Sequence, residues 1–244
     1  PEQVSQALLR AGKTGHRRQD PVRQVIITGD GSPTVSDSTT GAYYHSLYGA
    51  ATESLHVFII HGFRELPGRS RPLQILEIGF GTGLNAFLTL LESERKGITV
   101  HYEALEPCPL GAEITGTLDY PGALDAPEFR EAFNRLHDAE EGQIIPITPR
   151  FFLNKIRDRA EQFVFPPERY DLVYFDAFSP KVQPELWQPA VFENLYAAMR
   201  EDGLLLTYCS KGDVSRAMKG CGFQVGKLPG PPGKRHMLRG RKQA

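Results

Sequence analysis

Three stretches of the sequence combine residue types that could bind a ligand or move a proton. The first is a loop with glycines at alternate positions, residues 79–83, which follows an apolar run and opens a helical pattern. Glycines let the backbone approach a ligand without a Cβ clash, and the following helix N-terminus offers free N–H groups to an anionic group. Glu106 lies 23 residues past Gly83, where a carboxylate can accept both hydroxyl hydrogens of a ribose. The glycine loop and the Glu106 carboxylate together predict a site for a nucleoside cofactor.

The spacing of this loop indicates which kind of cofactor it would take. Its pattern is GxGxG rather than GxGxxG, because Leu84 stands where the dinucleotide motif has its third glycine. That glycine serves close packing near a pyrophosphate, and a cofactor without phosphates, such as S-adenosylmethionine, does not need it. A plain strand-to-helix turn is the alternative interpretation of the loop.

The second stretch delivers a carboxylate at the end of a buried strand. Residues 172–175 are all apolar, and Asp176 follows them directly. A carboxylate there is expected to face the transferred group, with Phe178 as a pocket wall that stacks a base or flanks a sulfonium. Pro180 stiffens the following loop, and Trp187 is a further candidate for the pocket wall. The alternatives are that Asp176 only caps the next segment and that Phe178 belongs to the core.

The third stretch is the basic end of the chain. The formal net charge is −1, yet residues 211–244 contain nine Lys or Arg and one acidic residue. Such a local excess predicts an anionic partner, and a solvated basic tail is the alternative. We expect Arg241 and Lys242 to lie in a frayed tail, farther from the site than the preceding basic residues. The candidate contacts to the partner are Lys211, Arg216, Lys234 and Arg235.

Composition excludes several other classes of protein. The apolar fraction of 40% and the charged fraction of 23% are typical of a globular chain and argue against disorder and coiled coil. No apolar run approaches the ~20 residues of a membrane span, and the N-terminus lacks the apolar core of a secretory signal. Three scattered cysteines argue against a disulfide framework and favour the cytoplasm. His45, His56 and His61 lack the spacing of a metal site, so we expect no metal and no membrane contact.

Strands that alternate with helices must position these stretches. The pattern predicts an α/β fold with a mostly parallel, doubly wound sheet, whose ligands bind outside the carboxyl ends of the strands. Strands are expected at 73–78, 99–105, 143–147, 172–175 and 204–208, with an antiparallel edge at 223–225 and 237–239. Helices are expected at 84–95, 151–160, 184–199 and 214–220, and residues 121–138 are expected to contain a helix on an insertion. Ahead of this domain, 67–244, we expect a loosely held segment at 1–21 and a β appendage at 22–66 with strands at 22–28 and 56–60.

These motifs resemble one family over about residues 30–240. It is the methyltransferase domain of the bifunctional tRNA 5-methylaminomethyl-2-thiouridine biosynthesis protein, together with its stand-alone relatives. The resemblance is carried by the glycine loop through Asn85, by Leu105-Glu106, by Asp176 with Phe178, Pro180, Pro184 and Trp187, and by Ser210, Gly212, Val214, Arg216 and Lys234-Arg235.

The resemblance implies a Rossmann-like class I methyltransferase with a seven-stranded, mostly parallel sheet, helices on both faces and S-adenosylmethionine as cofactor. It implies methylation of the aminomethyl group on C5 of the wobble uridine of tRNA. The partners would be tRNA and the enzymes that install the aminomethyl group. The implied cofactor residues are Glu77, Gly79, Gly81, Gly83, Asn85 and Glu106, and the implied catalytic residues are Asp176 and Phe178.

The sequence departs from the family at three places. Ala177 stands where bifunctional members have glycine, and Lys181 comes one position earlier than the lysine of the family. The predicted third strand ends in Ile147-Thr148-Pro149 rather than in the aspartate that borders the adenine pocket. We therefore expect the usual acceptor for the adenine amino group to be missing or replaced.

An amine substrate limits what Asp176 can do. A primary alkylamine has a pKa near ~10, so a carboxylate of ordinary pKa is a poor base for it. We assign Asp176 mainly to orienting the amine. The alternatives for the whole chain are an aminopropyltransferase of the spermidine synthase type and a non-catalytic RNA-binding protein. Against the former, Phe80 and Thr82 do not supply the acidic residue that it carries among its glycines.

Overall fold

A small antiparallel sheet precedes the main one. The computed structural model describes residues 23–66 and 71–243, so the expectation for residues 1–21 lies outside the described residues. The small sheet consists of β1 (Arg23–Ile27), β2 (Pro33–Asp37) and β3 (Ala42–Tyr43). The turn after β1 is closed by Asp30, whose Oδ1 accepts hydrogen bonds from the Thr28 hydroxyl and the Ser32 N–H.

The main sheet has eight strands. They are β4 (Leu73–Ile78), β5 (Val100–Leu105), β6 (Ile145–Pro146), β7 (Phe151–Ile156), β8 (Tyr170–Phe175), β9 (Met199–Thr207), β10 (Gln224–Pro229) and β11 (His236–Arg241). Their order is β10-β11-β9-β8-β4-β5-β7-β6. The five central strands, β9 to β7, are parallel, and the strands at both edges are antiparallel. The predicted α/β class and antiparallel edge are confirmed, and the count of seven becomes eight because β6 adds a two-residue strand.

Helices cover both faces of this sheet. They are α1 (Ala50–Ser54), α2 (Leu84–Lys96), α3 (Ala112–Thr115), α4 (Tyr120–Ala123), α5 (Arg130–Asp138), α6 (Pro189–Ala198) and α7 (Gly212–Gly220). One buried cluster joins α2 and α5 to the sheet, and a second joins α6 and α7 to its other face. Strand β4 serves both, since Ile75 lies in the first cluster and Leu76 in the second. Within the described ranges, no helix is long and apolar enough to cross a membrane.

The strand predicted at 56–60 is wrong. Residues Leu55–Ile60 form a π-helical turn that continues α1. Val57, Phe58 and Ile59 are all buried, which a half-buried strand with alternating faces does not allow. Phe58 packs against Tyr174 of β8 with ring centroids 4.9 Å apart. Packing against the sheet therefore overrides the β propensity of these branched and aromatic residues.

The third parallel strand was also misplaced by sequence reasoning. The predicted helix at 151–160 is instead β7, and the predicted strand at 143–147 retains only the two residues of β6. Phe151 and Leu153 are buried while Phe152 and Asn154 are half-buried, as in a strand, and β7 pairs in parallel with β5 along its length. This correction moves the carboxyl end of the third strand to residue 156.

One predicted helix is broken by proline. The helix predicted at 184–199 is a 3₁₀ turn, Pro184–Trp187, followed by α6 with Pro189 at its first position. The helix expected within 121–138 is present as α5, and α4 and a 3₁₀ turn at Pro127–Phe129 precede it. The predicted helices at 84–95 and 214–220 are present, as are the other strands, with ends shifted by a few residues.

Candidate active site

A cavity of about 620 Å³ opens at the carboxyl ends of β4, β5, β7 and β8. The residues between β3 and α1 cover it from the other side, so the N-terminal segment completes its wall. Open α/β sheets bind ligands at this edge, and the cavity has the volume of a small-molecule site. Of the predicted site residues, those that line it are Gly79, Gly81, Asn85, Glu106, Asp176, Phe178 and Lys234.

The glycine loop forms the floor beside β8. Gly79 has φ of +91°, and a Cβ there would lie 2.9 Å from the carbonyl oxygen of Asp176. Gly81 has φ of +49°, and a Cβ would meet the Tyr44 ring at 3.0 Å. Any other residue would push the loop away from β8 and from Tyr44. Gly83 then precedes the first turn of α2, where no side chain caps the helix.

Glu106 holds the loop from the end of β5. Its Oε2 accepts a hydrogen bond from the Gly81 N–H and its Oε1 accepts one from the Cys108 N–H, both at 3.0 Å. The carboxylate is half-buried and lines the cavity. It is therefore oriented by backbone donors, and its remaining lone pairs can accept ligand hydroxyl hydrogens.

The corrected position of β7 places an acid at the cavity where the sequence analysis expected none. Asp158 follows β7 by two residues, is half-buried and lines the cavity. Its Oδ1 accepts a hydrogen bond from the Arg159 N–H at 2.7 Å. The expectation of a missing or replaced acceptor was drawn from the end of a misplaced strand. At the actual end of the third strand, Asp158 is a candidate acceptor.

Asp176 is linked to the buried Glu77 through Asn85. The Asn85 Nδ2 donates to Asp176 Oδ2 at 2.7 Å and to Glu77 Oε1 at 2.9 Å. Glu77 is fully buried, its pKa is raised well above the ordinary value by desolvation, and it does not line the cavity. The prediction that Glu77 contacts the cofactor is therefore wrong. Glu77 orients Asn85, which orients Asp176.

The surroundings of Asp176 make it a better base than the sequence indicated. Part of its surface faces the cavity, yet protein encloses the carboxylate on the remaining sides. Burial and the negative charge of Glu53 raise the pKa of Asp176, Asn85 and Lys234 lower it, and the resulting pKa is about 7. A carboxylate with this pKa can accept a proton at neutral pH.

Aromatic side chains close the cavity above Asp176. Phe178 and Tyr44 meet edge to face with ring centroids 4.9 Å apart, and both line the cavity. Trp187 does not line it, contrary to prediction: its Nε1 donates to the Phe178 carbonyl oxygen at 2.8 Å, and its ring packs on Phe175. Trp187 therefore supports the loop from below. Pro180 is half-buried in the same loop and also lies outside the cavity lining.

The basic residues predicted to contact the partner lie in two environments. Lys211, Arg216 and Arg235 are exposed, and Arg216 forms an ion pair with Asp213 on the surface of α7. Lys234 is instead half-buried in the cavity wall, where it forms an ion pair with Glu53.

The predicted frayed tail is wrong. Arg241 belongs to β11 and forms an ion pair with Asp202. The Lys242 N–H donates to the Gly203 carbonyl oxygen, and its Nζ donates to Met199. Pairing with β9 therefore holds these residues in place.

Sequence reasoning missed two cavity residues, Glu53 and Tyr208. Glu53 is buried, and its position within a run of small and apolar residues was the sequence signal that could have indicated this. Tyr44 and His45, which precede that run, also line the cavity. The His45 Nδ1 forms a hydrogen bond with the Thr34 hydroxyl rather than clustering with His56 and His61. Among the residues described, no group of three or more His, Cys, Asp or Glu is arranged to hold a metal ion.

Comparison with known proteins agrees with this geometry. Residues 146–243 match the family described as S-adenosyl-L-methionine-dependent methyltransferase. The crystal structure of MnmC2 from Aquifex aeolicus is similar with a TM-score of 0.75 at 26% identity, over 93% of this chain and 72% of that chain. Spermidine synthase from Thermotoga maritima, with a TM-score of 0.52 at 13% identity over 91% of this chain and 70% of that one, shares the fold alone. The chain therefore has the fold of S-adenosyl-L-methionine-dependent methyltransferases, and its residues 146–243 match their family.

Within that class its relatives are MnmC proteins. The tRNA 5-methylaminomethyl-2-thiouridine biosynthesis bifunctional protein MnmC of Burkholderia thailandensis is 32% identical over 227 residues, which cover 85% of this chain and 33% of that protein. The MnmC of Aromatoleum aromaticum is 31% identical over 243 residues, covering 91% and 36%. The chain thus spans about a third of the length of the curated relatives that it matches.

The cavity fits S-adenosyl-L-methionine, the cofactor of this family. The glycine loop leaves room for a ligand against the N-terminus of α2, which suits the carboxylate of an amino acid. Glu106 and Asp158 present carboxylates to the same cavity from the ends of β5 and β7, which suits ribose hydroxyls and an adenine amino group.

Proposed function

We propose that the chain transfers a methyl group from S-adenosyl-L-methionine to the primary amine of 5-aminomethyl-2-thiouridine at the wobble position of tRNA, giving 5-methylaminomethyl-2-thiouridine. The observation that carries the proposal is Asp176, a cavity carboxylate with a pKa of about 7 held directly beside the glycine loop. The likeness to MnmC proteins, whose name states this nucleoside, supports the choice of substrate.

The cavity residues divide into a cofactor side and a substrate side. Gly79 and Gly81 with Glu106 and Asp158 would hold the cofactor, and Gly83, which does not line the cavity, leads the loop into α2. When bound, S-adenosyl-L-methionine supplies a sulfonium methyl group that a nucleophile displaces in line. Tyr44 and Phe178 shield the cavity from water, and their ring faces favour a cation over bulk solvent.

Asp176 would orient the amine and accept its proton. A primary alkylamine has a pKa near ~10.4, so transfer of a proton to an ordinary aspartate is uphill by about 9 kcal/mol at ~1.36 kcal/mol per pKa unit. With the pKa of Asp176 at about 7, the difference falls to roughly 5 kcal/mol. The proton leaves the amine nitrogen for the carboxylate oxygen as the lone pair turns to the methyl group. This extends the orienting role predicted from the sequence.

The surface around the cavity mouth supports an RNA substrate. Tyr43 and Leu47 line the mouth and are 48% and 46% exposed, and Tyr48 beside them is 70% exposed. Exposed aromatic rings stack on unpaired bases, as an anticodon loop presents them. In the part of the chain that the structure describes, the C-terminal cations without an ion pair are Lys211, Lys219, Lys227, Arg235 and Lys242, and the Lys242 Nζ donates to the Met199 carbonyl oxygen. Fewer phosphates would therefore be neutralised than the number of basic residues indicates.

The enzymes that install the aminomethyl group would act before this chain and would meet the same tRNA. We propose the cytoplasm as the place of action, since its substrate class is tRNA and its three cysteines are free.

Nucleoside mass spectrometry tests the proposed reaction. The purified chain, S-adenosyl-L-methionine and tRNA bearing 5-aminomethyl-2-thiouridine should yield the methylaminomethyl nucleoside. Asp176→Asn should abolish that product. The control Asp125→Asn, which replaces an exposed aspartate distant from Asp176 in the sequence, should not. Absence of product with the wild-type chain would refute the proposal.

Two alternatives are separated by the same preparation. An aminopropyltransferase would use decarboxylated S-adenosylmethionine, but the cavity carboxylate of Glu53 is already paired with Lys234 rather than free to bind a polyamine. A non-catalytic RNA-binding protein would bind tRNA without binding S-adenosyl-L-methionine. Isothermal titration with the two cofactors distinguishes all three.

A further inference from the structure

Two oppositely charged side chains from distant parts of the chain meet inside the cavity. Glu53 lies in α1 and is buried, and Lys234 lies in the connection between β10 and β11. They form an ion pair, and Glu53 Oε2 also accepts a hydrogen bond from the Ser46 N–H at 2.7 Å. The N-terminal segment and the far edge of the sheet are thereby joined beside the site.

Tyr208 links the pair to the loop that carries Asp176. The Lys234 ammonium lies over the Tyr208 ring at 3.9 Å from its centroid. The Tyr208 hydroxyl donates to the carbonyl oxygen of Ala177 at 2.9 Å. Glu53, Lys234, Tyr208 and Asp176 all line the one cavity. A surface role for Lys234, as a contact to phosphate, does not account for this placement.

Several charged or titratable groups face Asp176 from the elements around it. Asn85 of α2 donates a hydrogen bond to it, with Glu77 behind, and burial raises the pKa of Glu77 well above its ordinary value. His45 is neutral because burial lowers its pKa to about 4, and burial raises the pKa of Tyr208. The charges that shift the pKa of Asp176 are those of Glu53, which raises it, and Lys234, which lowers it.

We propose that Glu53 and Lys234 are a positioning pair that sets the charge of the amine subsite, with Lys234 excluding a second cation and Glu53 preserving Asp176 as a base. This rests on the proposed function, since the amine is its substrate. Lys234 disfavours the protonated amine electrostatically, which favours transfer of the amine proton to the Asp176 carboxylate. Alone, however, Lys234 would also make Asp176 a weaker base. Glu53 offsets that second effect because it binds the Lys234 ammonium directly.

The proposal requires effects of opposite sign from the two halves of the pair. Replacing Lys234 leaves Glu53 as an uncompensated negative charge, which raises the proton affinity of Asp176. Replacing Glu53 leaves Lys234 uncompensated, which lowers it. A pair that only ties the N-terminal segment to the sheet would destabilise the fold in both variants without opposite shifts.

Carboxyl-carbon NMR titration of the free protein tests this directly. The Asp176 signal is assigned by its loss in Asp176→Asn. Lys234→Met should raise the pKa of Asp176 by about one unit, Glu53→Gln should lower it by about one unit, and the double variant should return close to wild type. Lys234→Arg, which keeps the charge, should leave it unshifted.

The chain contains a matched control. Arg239 of β11 and Glu65 form another ion pair between the N-terminal segment and the same edge of the sheet, outside the cavity lining. Arg239→Met and Glu65→Gln should leave the Asp176 titration unchanged. Shifts of the same sign in Lys234→Met and Glu53→Gln, or none in either, would overturn the proposal.

Kinetics separate this proposal from the proposed function. With aminomethylated tRNA, the acid limb of the kcat profile should move to higher pH in Lys234→Met and to lower pH in Glu53→Gln. Cofactor affinity should stay within severalfold. If the NMR shifts occur but the wild-type chain forms no product, the proposed function fails and the charge pair stands. If product forms without the NMR shifts, the charge pair fails and the proposed function stands.

Discussion

The two aspartates of strand β8 have opposite surroundings. Asp171, near its amino end, accepts hydrogen bonds from both terminal nitrogens of Arg71 and from the Gln74 N–H, and it forms an ion pair with Arg200. Asp176, just past its carboxyl end, accepts one side-chain hydrogen bond, from the neutral Asn85. Both carboxylates are enclosed by protein, but only the first has cations bound to it directly. One strand thus carries a structural acid at one end and a reactive one at the other.

The difference teaches that burial alone does not make an acid reactive. Charge compensation by arginine fixes Asp171 as a carboxylate that holds β4, β8 and β9 in place. Burial without such compensation leaves Asp176 free to change its protonation state near neutral pH. Because the central strands are parallel, Asp176 lies at their carboxyl ends, where sheets of this type bind their ligands.

The largest expected effect is on turnover by Asp176→Asn. The amide cannot accept the proton of the amine, so kcat should fall at least about a hundredfold, the usual scale for loss of a general base. Cofactor affinity should remain within severalfold, and the unfolding midpoint should not fall, because a buried charge is removed. Single-turnover methylation with labelled cofactor measures turnover. Calorimetry measures the cofactor affinity and the unfolding midpoint. An equal loss of turnover and cofactor affinity would place Asp176 in the cofactor site.

The matched change at the other end of the strand should act on stability. Asp171→Asn leaves Arg71 and Arg200 without a carboxylate, and we expect the free energy of unfolding to fall by about 2 kcal/mol. The loss is moderate because both arginines are partly exposed and can be hydrated. Urea unfolding measures it, and turnover per folded molecule should change little. A variant that keeps its stability but loses turnover would remove the distinction between the two aspartates.

The pH dependence of turnover and of stability should reflect the protonation of Asp176. Turnover should rise as pH increases through about 7, because only the carboxylate form of Asp176 accepts a proton. The free energy of unfolding should respond in the other direction. Because the pKa of Asp176 is raised in the folded state, the folded protein binds a proton that the unfolded chain releases between about pH 4 and pH 7. The contribution of Asp176 to stability therefore decreases as pH rises through this range. Thermal unfolding of wild type and Asp176→Asn across this range isolates that contribution. Identical pH profiles of the two proteins would contradict it.

A smaller effect is expected on the cofactor side from Asp158→Asn. Loss of one acceptor charge for the adenine amino group should weaken S-adenosyl-L-methionine about tenfold, with kcat at saturation unchanged. Asp125→Asn is the control. Unchanged affinity would show that the end of β7 does not contact the adenine.

The smallest effect concerns the surface charges. Arg235→Gln should reduce the slope of log affinity for tRNA against log salt by about 0.7–0.9, as expected for one phosphate contact. Arg239→Gln should change it less, because Arg239 is already paired with Glu65. Equal slopes in the two variants would argue that the unpaired cations are not the ones that bind RNA.

Local patterns were sufficient for much of the central sheet and for its loops. The apolar runs before Gly79 and Asp176, with a helical pattern after the first of them, indicated parallel strands and a ligand at their carboxyl ends. The 55–60 and 151–156 segments could not be assigned in this way. Both are short and apolar, and such runs suit a strand or a buried helix equally until their neighbours are known.

What the sequence determined by itself was the class of fold, the glycine loop after β4 and the aspartate at the end of β8, because each depends on residues that are neighbours in the chain. What only the tertiary structure decided was the state of that aspartate. Its surroundings come from Asn85 on α2, Glu53 on α1 and Lys234 beyond β10, which lie from 58 to 123 residues away along the chain. Electrostatic interactions depend on distance and burial in space, so the proton affinity of Asp176 is set only when the N-terminal segment and the sheet edge close around it.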